Sequence, residues 1–299
     1  MPSTARRSDF IALVVAVGAV SLSGPIMAAT DAPALGIAFW RNAIGAIATL
    51  PFVLRHLAVL RSLSRKQWMA MGAAGFLLGL HFAAWIPSLR YTTIAASTAL
   101  VATQVVWAAV LAFLAGHRAP RAEWIGIAVS LVGVVVLTGI DITLTPRALI
   151  GDVLALIGAM GSAAYMTVGQ RVRPALPLAA YTAVVYAASA LTLGVICAIG
   201  SVPLTGYSSR AWILILLVTV VAQFGGHSLL NMALRSFSAT AVSIAILCEM
   251  PGSTLVGWVW PGQTPPWALL PAAVLIVGGI VLVLRASQPT TLDPETATP

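Results

Sequence analysis

Long apolar segments, separated by short clusters of charged, proline and turn-forming residues, run through almost the whole chain. A run of about 20 apolar residues is long enough to cross a bilayer as a helix, whereas a membrane β-barrel has shorter segments of alternating polarity. The pattern therefore predicts an all-α membrane protein. Its ten predicted spans have the approximate limits 9–30, 33–54, 67–90, 93–115, 121–140, 149–170, 177–199, 210–234, 238–260 and 266–285.

Composition supports this interpretation. Of the 299 residues, 60% are hydrophobic and only 8% are charged, whereas about 25% of the residues in a soluble domain are charged. The last residues, 286–299, are polar and proline-rich, and we expect them to form a disordered cytoplasmic tail. The two cysteines, Cys197 and Cys248, lie in apolar segments without the spacing of a metal site, so neither a metal nor a cofactor is predicted.

The basic residues predict the orientation, because arginine and lysine accumulate in cytoplasmic loops. Most of the sixteen basic residues fall at the two ends of the spanning region and in every second loop, namely Arg6, Arg7, Arg55, Arg61, Arg65, Lys66, Arg118, Arg121, Arg171, Arg173, Arg235 and Arg285. We therefore expect both termini in the cytoplasm, which requires an even number of spans. The preference for arginine over lysine and the abundant alanine are typical of a GC-rich bacterium, so the expected location is a bacterial inner membrane.

The first span also has features of a cleaved signal peptide, since two arginines precede an apolar run and a small-residue segment. Its removal would leave nine spans and would place one terminus outside the cell. We therefore expect this segment to be retained.

An internal repeat is visible in the sequence. Residues 88–104 align without a gap with residues 233–249 at an offset of 145, and the same offset pairs Pro120 with Pro265. The chain is interpreted as two five-helix units with a tail, and the predicted bounds of the units are 1–145 and 146–285. Because five is odd, the second unit must enter the membrane from the opposite side. Inverted repeats around a central cavity are the architecture of alternating-access transporters.

Three stretches resemble the drug/metabolite transporter superfamily in its ten-helix EamA-type branch. They are "FWRNAIGAIATLP" in the second span, "LRYTTIAAS" between the third and fourth, and "EMPGSTLVGWVWPGQTPPWALLPAAVLIVGG" across the ninth and tenth. The resemblance extends over about 9–285, and within the superfamily the chain is similar to the bacterial aromatic amino-acid exporters. It departs from the family at Gly262-Gln263, where Gly-Glu is frequent. The resemblance implies a secondary transporter that exports amino acids, including aromatic ones.

Polar and aromatic residues inside the spans are the candidate substrate-binding residues, because lipid does not solvate them. In the eighth span, Gln223, His227 and Asn231 recur at every fourth position and are expected to share one helix face. Hydrogen bonding between helices is the structural alternative for each of them. The other candidates are His81, Trp85, Gln104, Trp107 and Tyr165.

Glu249 lies about eleven residues into the ninth span, which at ~1.5 Å per residue places it near the midplane of the bilayer. Pro251 removes a helical hydrogen bond at the same depth. Because the aligned positions of the first unit are Gln104 and Val106, a broken helix is expected in the second unit alone. Glu249 is a candidate for proton coupling, with a structural role as the alternative. The candidate hinges are Gly24, Pro25, Pro87 and Pro251.

The alternatives to an amino-acid exporter are an exporter of other small amphipathic metabolites or drugs, a channel and an intramembrane enzyme. An enzyme is disfavoured because the chain has no HExxH or GxSxG motif, and the lack of a P-loop disfavours direct use of ATP. The expected partners are a small-molecule substrate and the bilayer, not nucleic acid, and the chain is expected to be a monomer or a weak homodimer.

Arg41, about eight residues into the second span, is expected to reach the interface by snorkelling.

Overall fold

The computed structural model describes residues 7–88, 90–92, 94–138, 145–259 and 267–286, and every regular element in these ranges is helical. The predicted tail lies outside the described residues except for Ala286, which ends the last helix. In the first half the helices are α1 (Arg7–Ser21), α2 (Ser23–Ala28), α3 (Ala34–Leu54), α4 (Leu57–Ser62), α5 (Arg65–Ser88), α6 (Ile94–Ala102), α7 (Gln104–Leu114) and α8 (Arg121–Thr138).

The second half is also helical, and two of its spans change helix type along their length. Its α-helices are α9 (Pro146–Val172), α10 (Leu178–Ile199), α11 (Ser209–Val218), α12 (Leu229–Ala233), α13 (Ala239–Ala245), α14 (Glu249–Val259) and α15 (Leu269–Ala286). A π-helical segment, Thr219–Ser228, joins α11 to α12, and short 3-10 turns occupy Arg173–Ala175 and Ile246–Cys248.

Among the described residues, eight helical segments are long and apolar enough to cross a membrane. The α6–α7 region contributes only a shorter apolar helix, Ala99–Leu114, and α8 is not among the eight. An all-helical membrane protein is thus confirmed, and the count of ten spans stays a prediction. The eight segments are Arg7–Met27, Ala34–Leu54, Arg65–Ser88, Pro146–Ala175, Leu178–Ile199, Ser209–Ala233, Ala239–Val256 and Leu269–Ala286.

The main contacts between helices are symmetric between the two halves: each has an equivalent in which the corresponding helices of the other half take the same places. The second spans of the two halves, α3 and α10, pack together, and so do the fifth spans, α8 and α15. Helix α5 packs on α9, and the equivalent pair of the other half is α1 on the π-helical segment with α12. Each half therefore completes its packing with the helices of the other.

Small residues allow the closest of these approaches. A Cβ atom added at Gly126 of α8 would lie 2.6 Å from the carbonyl oxygen of Gly279 in α15. In the same way, a Cβ at Gly75 of α5 would lie 2.5 Å from the carbonyl oxygen of Val185 in α10. Lipid supplies no hydrophobic force between helices, so close van der Waals packing of this kind is what holds them together.

The fourth and ninth spans are both interrupted, which corrects the expectation of a break in the second half alone. Helix α6 ends at Ala102 and α7 begins at Gln104, while α13 ends at Ala245 and α14 begins at Glu249. At the repeat offset of 145, Gln104 and Glu249 are equivalent positions. Both residues are therefore the first residue of a helix that restarts within the span.

The break does not require a proline. In the first half, the carbonyl oxygen of Leu100 accepts from the backbone N–H of Thr103, at 3.1 Å, and from the hydroxyl of the same residue, at 2.6 Å, and no proline is involved. In the second half, Pro251 lies in the first turn of α14, where a missing N–H group removes no hydrogen bond from the helix. The sequence pattern linked the break to Pro251, but both halves have a break at the equivalent position.

The other candidate hinges lie near helix ends. Gly24 and Pro25 belong to the short helix α2, which follows the interruption of the first span at Leu22. Pro87 is the penultimate residue of α5. Hinge motion at these positions stays a prediction.

Candidate functional site

A group of buried polar and aromatic side chains lies between the two halves, and we call it the central cluster. It draws on α3, α5, α9, α10, the π-helical segment, α12 and the start of α14. Its members are Arg41, Asn42, His81, Phe82, Trp85, Tyr165, Tyr186, Gln223, His227, Ser228, Asn231 and Glu249.

Arg41 lies at the centre of this cluster and is only 1% exposed. Its Nε donates a hydrogen bond to Oε1 of Gln223 over 2.9 Å, and Nη1 reaches the hydroxyl of Ser23 at 3.5 Å. The guanidinium carbon also lies 4.7 Å from the centroid of the Phe82 ring, within the range of a cation–π interaction. The prediction that Arg41 snorkels to the interface is therefore wrong, because polar partners from another helix hold it inside.

Gln223 connects the halves at this point. Its Nε2 donates to Oδ1 of Asn42 over 3.0 Å, so its amide bonds to two adjacent residues of α3. The π-helical backbone leaves the carbonyl oxygen of Gln223 able to accept from the hydroxyl of Tyr186, at 3.1 Å, and from that of Ser228, at 3.2 Å. A π-helical turn often marks a functional position, since it frees backbone groups for other partners.

The two histidines lie on either side of Phe82. The ring of His81 stacks on Trp85, with centroids 5.5 Å apart and planes 17° apart, and its Nδ1 is 2.9 Å from the carbonyl oxygen of Gly158. The ring of His227 meets Phe82 edge-on at 5.4 Å. Aromatic rings in such arrangements attract one another and also offer faces to a cation or to another ring.

Tyr165 and Asn231 form a second polar contact at the edge of the cluster. The hydroxyl of Tyr165 donates to Oδ1 of Asn231 over 2.6 Å, and both residues are buried. Thus Gln223, His227 and Asn231 all face inward, although the π-helical turn between them departs from the α-helical spacing that predicted their common face.

Several buried hydrogen-bonding atoms in and beside the cluster have no partner among the described residues. They are Nε1 of Trp85, Nδ1 of His227, Nδ2 of Asn231 and the hydroxyl of Tyr181. Each such atom costs about 1–3 kcal/mol relative to a satisfied one. Unpaired polar atoms concentrated at one place are typical of a site that gains its missing bonds from a ligand.

Glu249 is half-buried and belongs to the same electrostatic environment. It lies close enough to Arg41 for the two groups to influence each other electrostatically, but no ion pair joins them among the described residues. The cluster thus contains a cation from the first half and an acid from the second. Among the described residues, no group of three His, Cys, Asp or Glu side chains could hold a metal ion.

Two of the predicted binding residues lie apart from this network. Gln104 is buried and Trp107 is half-buried, both on α7, which packs against α9 and α13. None of the contacts that define the central cluster involves either residue. In the structure the cluster residues pack directly on one another, and the central cavity stays a prediction. Two shallow apolar grooves lie on the outer surface of the described residues, one of which is lined by Leu149, Ile150, Val153 and Leu154.

Comparison with known proteins now decides the family. The EamA-like transporter family matches the chain twice, over residues 8–139 and 149–285, which together are most of its length. The chain belongs to the EamA-like transporter family. Each half of this EamA-like protein corresponds to one copy of the family's repeat.

The fold agrees with that of a known structure. A solved protein described as "Crystal structure of protein" is similar over 96% of this chain and 100% of its own, with a TM-score of 0.75 and 19% sequence identity. At that identity the likeness concerns the fold alone. No curated protein matches the chain. The EamA-like family makes it a membrane protein that transports small molecules.

Sequence reasoning found six of the cluster's polar and aromatic members in addition to Glu249, and it missed several others. Asn42, Phe82, Tyr186 and Ser228 were not singled out, and Arg41 was assigned to the membrane interface. A signal for two of them was present, because Arg41 and Asn42 are adjacent polar residues in an otherwise apolar segment. The others belong to residue types that occur throughout apolar spans, so their role depends on the tertiary contacts.

Proposed function

We propose that this EamA-like protein is a secondary transporter that exports small metabolites by alternating access. The substrate class that we favour is amino acids, including aromatic ones. The central cluster carries the proposal. It places hydrogen-bonding groups, aromatic rings, an arginine and a carboxyl group between helices of both halves, at a depth where lipid solvates none of them. Aromatic rings next to amide and charged groups suit an amphipathic molecule with one polar end.

The packing supports alternating access. We propose that the units 1–145 and 146–285 are inverted repeats, because their helix pairs change into one another when the halves are exchanged. The interruptions before Gln104 and Glu249 give each half an equivalent place at which one span can bend. The buried packing of the cluster then corresponds to a state in which the site is closed to both sides.

The direct test is transport by the purified protein in proteoliposomes. Labelled amino acids of different side-chain classes, together with an aromatic amine and a sugar, are offered with and without a pH gradient. We expect saturable uptake of amino acids, with a preference for aromatic ones. Uptake that is restricted to the amine or the sugar would replace the amino-acid assignment by another metabolite class.

The inverted arrangement has a test of its own. We propose that both termini lie in the cytoplasm of a bacterial inner membrane. A reporter fused after Arg285 is then expected to be cytoplasmic, and a reporter inserted near Ser208 is expected to be outside. If both reporters lie on the same side of the membrane, the second unit is not inverted relative to the first.

A further inference from the structure

The buried charge of Arg41 indicates what kind of group the transported molecule carries. An arginine side chain keeps its positive charge inside a protein, and a buried charge costs several kcal/mol unless an opposite charge neutralises it. The polar contacts of Arg41 are made with neutral groups, the amide of Gln223, the hydroxyl of Ser23 and the sulfur of Met27 at 3.9 Å. The guanidinium is therefore held in place without being neutralised by these contacts.

Unpaired polar atoms of the central cluster point in the same direction. Asn231 is fully buried, and its Nδ2 has no hydrogen-bond partner among the described residues. Nε1 of Trp85 and Nδ1 of His227 are also buried without a partner, and both rings belong to the aromatic group around Phe82. The indole N–H of Trp85 and the amide NH₂ of Asn231 can only donate, so both require an acceptor that the described residues do not supply.

From these contacts we infer that Arg41 binds the carboxylate of the transported molecule, with the aromatic group of Phe82 and Trp85 beside its apolar part. This inference rests on the proposed transport function and names its substrate class, a carboxylic acid. The planar guanidinium has five N–H donors in a fork that matches a carboxylate, and only part of them are used within the protein.

Glu249 belongs to the same buried environment as Arg41, but no hydrogen bond or ion pair joins the two side chains among the described residues. A phosphate dianion costs more to transfer into such an environment than a singly charged carboxylate, so a carboxylate is favoured. The carboxyl oxygens of Glu249 are acceptors for an ammonium group, so a zwitterionic amino acid would meet a partner at each of its ends.

Access to Arg41 requires movement, because the guanidinium is almost completely covered in the present packing. Its partners belong to different spans, Ser23 to the first and Gln223 to the eighth, so separation of the two halves would expose it. Binding of the ligand is thus expected to replace contacts that close the site.

The test compares ligands that differ only at the predicted contact. The purified protein in nanodiscs is titrated with phenylalanine, 3-phenylpropionate, phenylalaninamide, phenethylamine and inorganic phosphate, and binding is followed by tryptophan fluorescence and thermal shift. We expect the two carboxylates to bind at least roughly tenfold more tightly than the amide and the amine, since a charge-assisted hydrogen bond is lost in the latter. Phosphate is expected not to compete.

Variants assign the preference to Arg41. In Arg41→Met the carboxylates are expected to bind no more tightly than the amide, and Arg41→Lys, which keeps the charge without the fork, is expected to lie between. The matched control is Arg147→Met. Arg147 is an exposed arginine whose guanidinium lies 5.9 Å from the Tyr91 ring, and its removal is expected to leave the preference unchanged.

Each outcome has a definite meaning. Equal binding of all the aromatic ligands by the wild type, or a carboxylate preference that persists in Arg41→Met, overturns the inference. Competition by phosphate overturns the choice of a carboxylate. If Arg41→Met does not fold, the inference is still tested by the ligand series on the wild type and by the reduced carboxylate preference expected in Arg41→Lys. Proteoliposomes that take up none of these compounds, although the binding preference is present, count against the transport function and not against the carboxylate site.

Discussion

The α8–α15 helix pair and the central cluster differ in the polarity of the side chains that they bury. Helices α8 and α15 pack through apolar side chains such as Ile127 and Ile276 and through glycines that bring the backbones together. A single described side-chain hydrogen bond joins them, from the hydroxyl of Ser130 to the carbonyl oxygen of Ile276 over 3.1 Å. The central cluster instead buries an arginine and several polar atoms that have no hydrogen-bond partner in the part of the chain that the structure describes.

The contrast indicates a division between stability and function. Close packing in the α8–α15 pair stabilises the fold, and none of the unpaired buried atoms among the described residues lies in either helix. In the central cluster, unpaired polar atoms lower the stability of the closed packing and remain available to a ligand. Substitutions in the cluster should therefore change transport more than stability, and substitutions in the helix pair should do the reverse.

The largest effect is expected from Glu249→Gln. If Glu249 couples transport to protons, its charge must change during the cycle, and an amide has no charge to change. We therefore expect this variant to lose the entire response of uptake to a pH gradient, while uptake without a gradient continues. The measurement is proteoliposome uptake over a series of gradients.

Glu123→Gln is the matched control for that experiment, because Glu123 is a buried acid of the α8–α15 pair. It is expected to respond to the gradient as the wild type does. If uptake by Glu249→Gln matches uptake by the wild type at every gradient, Glu249 is a packing residue. Glu249 and Glu123 would then have the same, purely structural role.

Leucine at His227 or Asn231 is expected to reduce transport at least about tenfold, because it removes a polar group that faces the proposed site. Insertion and folding are expected to persist, which size-exclusion chromatography checks. Accessibility gives the independent measurement: single cysteines at 223, 227 and 231 should react with water-soluble thiol reagents under transport conditions. Three unreactive cysteines would mean that these residues only join helices.

Gly279→Ala is expected to lower stability by about 1–3 kcal/mol and to leave transport per folded molecule unchanged, because an added methyl group overpacks the α8–α15 contact. A Cβ there would lie 2.8 Å from the backbone nitrogen of Ser130 and closer still to the carbonyl oxygen of Gly126. Gly278→Ala, one residue away with open space around it, is the control and should melt like the wild type. Equal melting temperatures for the two variants would show that the helices adjust at no cost.

The smallest effect is expected from Ser130→Ala, which removes the hydrogen bond to Ile276 and should cost about 0.6 kcal/mol, the average for such bonds in membranes. It should not rescue Gly279→Ala, because the backbone atoms of Gly126 and Ser130 still obstruct the methyl group. Thermal melting of the two single variants and the double variant measures this. Full rescue would identify the Ser130 hydroxyl, not the backbone, as the obstacle.

The sequence by itself determined the helical membrane fold, the segments that form the helices and the equivalence of the two halves. Hydropathy and loop charge act locally, because any apolar run of sufficient length must satisfy its backbone hydrogen bonds as a helix in lipid. The inward direction of Gln223, His227 and Asn231 followed from the same cause, since lipid excludes polar side chains. These features depend on neighbouring residues in the chain and on the solvent.

The tertiary structure alone decided which way Arg41 points, which polar groups remain unpaired and that the site is closed. A long side chain near a membrane interface can reach outward or inward, and the outcome depends on a partner that is remote in sequence. For Arg41 the partner is Gln223, 182 positions away, on a helix whose π-helical turn aims it at α3. The break before Gln104 was equally hidden, because it occurs at Thr103 without a proline, and Thr167 and Thr182 make the same kind of backbone hydrogen bond inside unbroken helices. The contact between Arg41 and Gln223 exists only after the helices have packed.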